Sequence, residues 1–220
     1  MKNSSAQDQS TKELLLETGI EFFGKYGYEG TSTRMIASHC GISVSTLAFH
    51  FGNKDGLYNA VLSRAAQQLD DYYRPFSTKV YQYLSGNIYT EKTWALIDEY
   101  FDLILNSLHN KDYHPIIYLI YREQISNPKE GSPLTDIAYQ HSERMLVDLI
   151  QSLRPDLDPD IIAIYSRFQT GGIISLASTP IFLRRALRIG DQEDFSEEDW
   201  VKMKQVCISS VRRFVNDRQD

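Results

Sequence analysis

TSTRMIASHCGISVSTLAFHF, residues 31–51, decides how this chain reads. Thr31 and Ser32 are capping residue types placed ahead of a short apolar-periodic run that ends near His39. Gly41 breaks that run where a tight turn favours positive φ. Ser43 then offers a cap for a second short helix ending near Phe51. Ala37, Gly41 and Leu47 fall at the offsets of a helix-turn-helix: a small residue where the helices cross, a glycine in the turn, an apolar anchor with Ile36 and Ile42. Such a motif offers the first side chains of its second helix to a DNA major groove, and its N-terminal amides to a phosphate. The spacing alone also fits any helical hairpin with a glycine turn, so the flanks decide between the two.

Working outward, apolar residues recur at helical spacing and strand signals are nearly absent. A first helix is expected from about Ser10 to Tyr26, with Leu14, Leu15, Phe22, Phe23 and Tyr26 inward and Gly27 ending it. Asn53 caps a long helix from Lys54, with Leu57, Val61, Ala65, Leu69 and Tyr72 or Tyr73 in register, expected to stop before Pro75. Further helices are expected near 91–108, 114–125, 134–153, 159–178 and 196–217. Asn110-Lys111-Asp112, Asn127-Pro128, Gly131-Ser132-Pro133, Arg154-Pro155, Asp158-Pro159 and Gly190-Asp191 separate them. The fold class is all-α: a disordered arm (1–10), a helix-turn-helix head (11–53), and a helical ligand-binding and dimerisation body (54–220).

Composition sets the outer bounds. Apolar residues are 42% and aromatics 12% of the chain, enough for a packed core. No apolar run approaches the roughly 18–20 residues of a membrane span. The polar residues 1–12 carry no leader-like stretch, so a cytoplasmic protein is expected, with no membrane partner. Cys40 and Cys207 lie far apart and read as reduced thiols. No glycine-rich phosphate loop, metal-spaced ligand set or nucleophile motif is present, so no enzyme, cofactor or metal is expected. The net charge is −6, and residues 1–60 hold five Lys/Arg against six Asp/Glu. Charge therefore lends DNA binding no support, and the motif must carry it.

The flanks are specific. Phe22-Phe23-x2-Tyr26-Gly27-Tyr28-x2-Thr31-Ser32 precedes the motif, and His50-Phe51-x-Asn53-Lys54-x2-Leu57 follows it. From about Lys12 to Leu62 the chain resembles the head of the TetR/AcrR family of regulators. The resemblance implies a homodimer on a palindromic double-stranded DNA operator and a divergent body that takes a small-molecule effector. It implies that Thr33 and Arg34 meet backbone phosphate, and that Ser43, Val44, Ser45 and Thr46 face base edges. Phe49 and His50 then close the helix against the backbone, with Lys54 as a phosphate ligand. Two departures stand out. Ala48 and the hydroxyl-free Phe49 occupy positions where tyrosine is common, and Val44 one where lysine is. Such a head makes fewer hydrogen bonds, turns Val44 and Thr46 toward thymine methyls, and binds more weakly or through DNA shape.

The body is legible in outline only. Its dense aromatic residues are either ordinary packing or, in part, the wall of an amphipathic pocket beside the long helix. The candidate lining is Tyr72, Tyr100, Phe101, Tyr118, Tyr121, Arg122, Tyr165 and Phe168. His114-Pro115-x6-Arg122-Glu123 followed by Pro128 resembles a CerR-type C-terminal domain. Arg122 and Glu123 are then a polar anchor for a ligand, or a structural ion pair. Gly171-Gly172 interrupts a good helix at roughly 1 kcal/mol per glycine, which points to close helix approach at a two-fold axis or to a local kink. The last helix adds a stripe of Trp200, Met203, Val206, Cys207, Val211 and Phe214, completing a four-helix dimer core. The expected function is a ligand-released repressor, the alternative a DNA-binding architectural or cell-division factor without a small-molecule switch.

Overall fold

The computed structural model describes residues 2–126, 131–178, 180–190 and 194–217, and among them every regular element is helical. In chain order these are α1 (Lys2–Gly30), α2 (Thr33–His39), α3 (Val44–Phe51), α4 (Lys54–Leu84), α5 (Thr90–His109) and α6 (His114–Ser126). Then come α7 (Pro133–Tyr139), α8 (Met145–Leu153), α9 (Pro159–Ser178), α10 (Pro180–Leu187) and α11 (Glu197–Asn216). A 3₁₀ turn at Lys111–Tyr113 leads into α6, and a π-helical turn at Gln140–Arg144 joins α7 to α8. The separators Asn127-Pro128 and Asp191 lie outside the described residues. No described helix is long and apolar enough to cross a membrane.

The chain forms two compact units, one of Met1–Asp71 with Asp112–Ala138, the other of Tyr72–Lys111 with Tyr139–Asp220. This moves the expected boundary at 53/54: the head's unit takes in the start of α4 and all of α6. The reason is packing between α1 and α6, which approach so closely that a Cβ at Gly24 would lie 2.5 Å from the Pro115 carbonyl oxygen. Arg122 fixes that contact, donating from Nε to the Gly24 carbonyl and from Nη2 to the Lys25 carbonyl, each at 2.9 Å. Leu15, Phe23, Ile36, Leu47, Leu57 and Leu119 are buried in this unit. Leu14 and Tyr26, expected inward, are exposed.

Other expectations also change. Residues 2–10, read as an arm, are the first turns of α1, since no Gly or Pro interrupts the run before Gly19. α1 breaks at Gly27, whose φ is 75°. α4 does not stop before Pro75 but runs through it to Leu84, because Phe76, Val80 and Tyr83 beyond the proline are buried and hold the helix on course. The helix expected over 134–153 is present as a continuous helical run from Pro133 to Leu153, with a π-helical turn inside it at Gln140–Arg144. α10, not foreseen, follows α9.

In the second unit α5 packs on α8, α9 and α11, with Tyr100, Phe101, Ile97, Leu149 and Val211 fully buried. α11 starts in a reciprocal cap: the Ser196 side chain accepts from the Asp199 N–H, and Asp199 accepts from the Ser196 N–H. α9 passes Gly171 and Gly172 without positive φ. Neither glycine is therefore required by a left-handed backbone conformation.

Candidate functional site

The turn between α2 and α3 is built from the backbone outward. Ser32 caps α2, its oxygen accepting from the Met35 N–H. The N–H groups of Cys40, Gly41 and Ile42 close the helix end on the carbonyls of Ile36, Ser38 and Ala37 at 3.0, 3.2 and 3.0 Å. Gly41 sits at φ 67° with nothing within 4 Å of where its Cβ would be. Backbone conformation alone therefore demands glycine there, since an L-residue in the left-handed region costs roughly 1–2 kcal/mol. Ser43 caps α3, accepting from the Thr46 N–H at 3.1 Å. Ala37 and Leu47 are buried, as the crossing of the two helices requires.

One face of α3 is left outside. At about 100° per residue, Val44, Ser45, Ala48 and Phe49 share a face opposite Leu47, and all four are exposed. Val44 is 43% and Phe49 80% accessible. The hydroxyls at the helix start engage one another: Ser43 Oγ lies 2.7 Å from Ser45 Oγ and 2.8 Å from Thr46 Oγ1. Thr46 is half-buried. Ala48 was not singled out as a site residue, although the spacing that pairs it with Val44 and Ser45 was available in the sequence.

His50 departs from expectation. Its side chain is only 6% accessible, with Nε2 3.4 Å from the Asp8 carboxylate of α1 and the ring edge-on to Phe49. It lies on the Leu47 side of α3, so the structure does not present it with the exposed face. Arg34 is exposed and Thr33 half-buried at the start of α2. Lys54 opens α4, where Asn53 Oδ1 accepts from the Gly56 N–H at 2.8 Å. Its ammonium rests 4.1 Å from the centre of the Tyr28 ring, and the Tyr28 hydroxyl donates to Asp55. That bond, before burial, raises the Tyr28 pKa.

The eight residues expected to line one pocket are divided between the two units. Tyr118, Tyr121 and Arg122 belong to the first unit, the other five to the second. Tyr100 and Phe101 are fully buried packing residues, Tyr100 donating to the Ser142 carbonyl at 2.8 Å. The Tyr72 hydroxyl donates to the Leu103 carbonyl. Tyr165 stacks on Phe214 with ring centres 3.9 Å apart. Arg122 makes no ion pair with Glu123; it caps α1, while Glu123 accepts from the Tyr58 hydroxyl at 2.6 Å. Burial, then that bond, pushes the Tyr58 pKa well up.

Among the described residues, two cavities stand out. A cleft of about 440 Å³ in the first unit is walled by Tyr26, Tyr28 and Tyr58, with Glu29, Arg122 and Glu123. An apolar groove of about 350 Å³ in the second unit runs between α9, α10 and α11 and includes Phe168, Gly172, Leu183 and Val206. Among the described residues no group of three His, Cys, Asp or Glu could hold a metal.

Residues 15–61 match the family model of bacterial regulatory proteins, tetR family. The chain is 30% identical over 115 residues to a probable HTH-type transcriptional regulator, YttP, of Bacillus subtilis, covering 52% of this chain and 50% of that protein. It thus spans about half the length of that relative. It is 24% identical over 187 residues to the HTH-type transcriptional regulatory protein RaaS of Mycobacterium tuberculosis, covering 82% and 79% of the two chains. The crystal structure of HlyIIR, a hemolysin II transcriptional regulator, shares the fold at a TM-score of 0.56 and 20% identity, over 90% of this chain and 97% of that one.

Proposed function

We propose, from the premise that this chain belongs to the TetR family of bacterial regulatory proteins, that it represses transcription by binding a palindromic operator as a homodimer. The observation that carries this is the outward face of α3: Leu47 pins the helix while Val44, Ser45, Ala48 and Phe49 stand clear of the core. Thr33, Arg34 and Lys54 are the phosphate contacts of this reading, and Ser43 and Thr46 frame the helix start. The His50 imidazole enters only if it leaves Asp8.

The dimer reading rests on the second unit. Phe168 is 75% and Val206 69% accessible along an apolar groove, and Gly171 and Gly172 open onto empty space. Exposed apolar area of this kind marks an interaction face, and two copies related by a two-fold axis would cover it. The effector reading rests on the tyrosine-walled cleft, which is of ligand size and holds Arg122 beside Glu123. A small amphipathic or aromatic molecule there would release the operator only through unequal affinity for two states.

Selection of bound duplexes from a random pool, followed by a salt titration, tests the function. Each phosphate contact steepens the fall of log K with log salt by about 0.9, and Lys54→Ala should make the slope shallower by about that amount. A chain that selects no duplex is not a regulator of this kind, and an unchanged slope removes Lys54 from the contact.

A further inference from the structure

We infer that the half-site is read chiefly through the 5-methyl groups of thymine, packed against Val44, Ala48 and Phe49, and not through hydrogen bonds to purine edges. The inference rests on the proposed operator binding and specifies its chemistry.

Base edges in the major groove are distinguished by a donor and acceptor pattern and by the thymine methyl. The side chains that read guanine or adenine in two-pronged fashion are Arg, Lys, Asn and Gln. α3, Val-Ser-Thr-Leu-Ala-Phe-His-Phe, contains none of them. Its polar candidates are spoken for. Ser43, Ser45 and Thr46 hydroxyls bond among themselves at 2.7 and 2.8 Å, and the Ser43 oxygen also takes the Thr46 N–H. Thr46 is half-buried and His50 faces Asp8. This corrects the expectation that Thr46 reads a methyl: the groove-facing atoms are those of Val44, Ala48 and Phe49, with the Ser45 hydroxyl beside them.

The surface so formed is apolar, and Phe49, 80% accessible, is its largest member. Burying the only apolar projection of a base pair is the favourable contact open to it. At about 0.8 kcal/mol per buried methyl or methylene group, each thymine methyl is expected to contribute about fourfold in affinity.

The test uses the full-length protein and the duplex it selects. Deoxyuridine replaces thymine one position at a time, deleting a methyl and leaving every hydrogen-bonding group in place. Affinity is expected to fall about fourfold at each contacted position, and in Val44→Ala at least one of those positions should become insensitive to the replacement. In parallel, 7-deazaguanine removes the N7 acceptor of each guanine and should leave affinity within twofold. Both readouts sit on exposed positions or on the DNA, so folding is not at stake. A preferred duplex that tolerates deoxyuridine throughout, or that loses binding with 7-deazaguanine, overturns the inference and leaves operator binding intact. A pool with no preferred duplex overturns both.

Discussion

Replacing Gly171 and Gly172 together by alanine asks whether α9 lies at a two-fold axis. Among the described residues neither new methyl would meet an atom outside its own turn of helix within 4 Å, and both positions are helical without positive φ. Glycine is less favourable than alanine in a helix interior by roughly 0.8–1.0 kcal/mol, so an isolated chain would gain about 2 kcal/mol. For a protein of this size that raises the melting temperature by about 4–8 °C. If α9 packs on its symmetry mate, the sign changes. Four methyls enter each dimer where the helices touch, and overpacking costs typically 1–3 kcal/mol, weakening association about 5- to 150-fold. Sedimentation velocity across a dilution series, with urea unfolding of the same samples, separates the cases. The expected result is a dimer that dissociates at higher concentration than the parent. A variant with an unchanged assembly state and a raised melting temperature would refute placement of these glycines at the interface.

Three further outcomes follow from the packing. Gly24→Ala gains about 1 kcal/mol of helix propensity but drives a methyl to 2.5 Å from the Pro115 carbonyl oxygen. Overpacking of that kind costs about 1–3 kcal/mol, so urea unfolding should show a net loss of up to about 2 kcal/mol, and any net gain contradicts the α1–α6 approach. Leu47→Ala empties a fully buried anchor at a cost of roughly 2–5 kcal/mol. Duplex binding should be lost while the circular dichroism of the body persists. Burial pushes the Cys207 thiol from 9.0 up to about 11, so between those values the unfolded chain ionises and the folded chain does not. Stability should therefore be unaffected below pH 9 and should fall with rising pH by about 1.4 kcal/mol per unit in that window, and Cys207→Ala should remove this component of the slope.

What the chain discloses before folding depends on the range of the signal. Ser32, Ser43, Asn53 and Ser196 announce helix starts because capping is a contact across three residues. Gly41 announces the turn because its φ is a property of one residue. Pro75 misleads, since local rules stop a helix there and only the burial of Phe76 and Val80, set by distant partners, carries it on. Arg122 was legible as a mid-chain polar residue but not as a cap on α1, because its acceptors stand 97 and 98 positions away. The inward turn of His50 was within reach: it follows Leu47 by three, on the same side of α3. The division of the tyrosines between the two units was not, because periodicity assigns a residue to a face without saying which neighbour that face meets.

Pro75 also divides α4 in a second sense. Proline brings no amide proton, so the ladder lacks one rung, the bond that would reach back to position 71, where the first compact unit ends along this helix. Upstream, amide exchange is expected to follow the core around Leu57 and Val61; downstream, the core around Phe76 and Val80. The two stretches of α4 are therefore expected to open separately, each at the rate its own core allows.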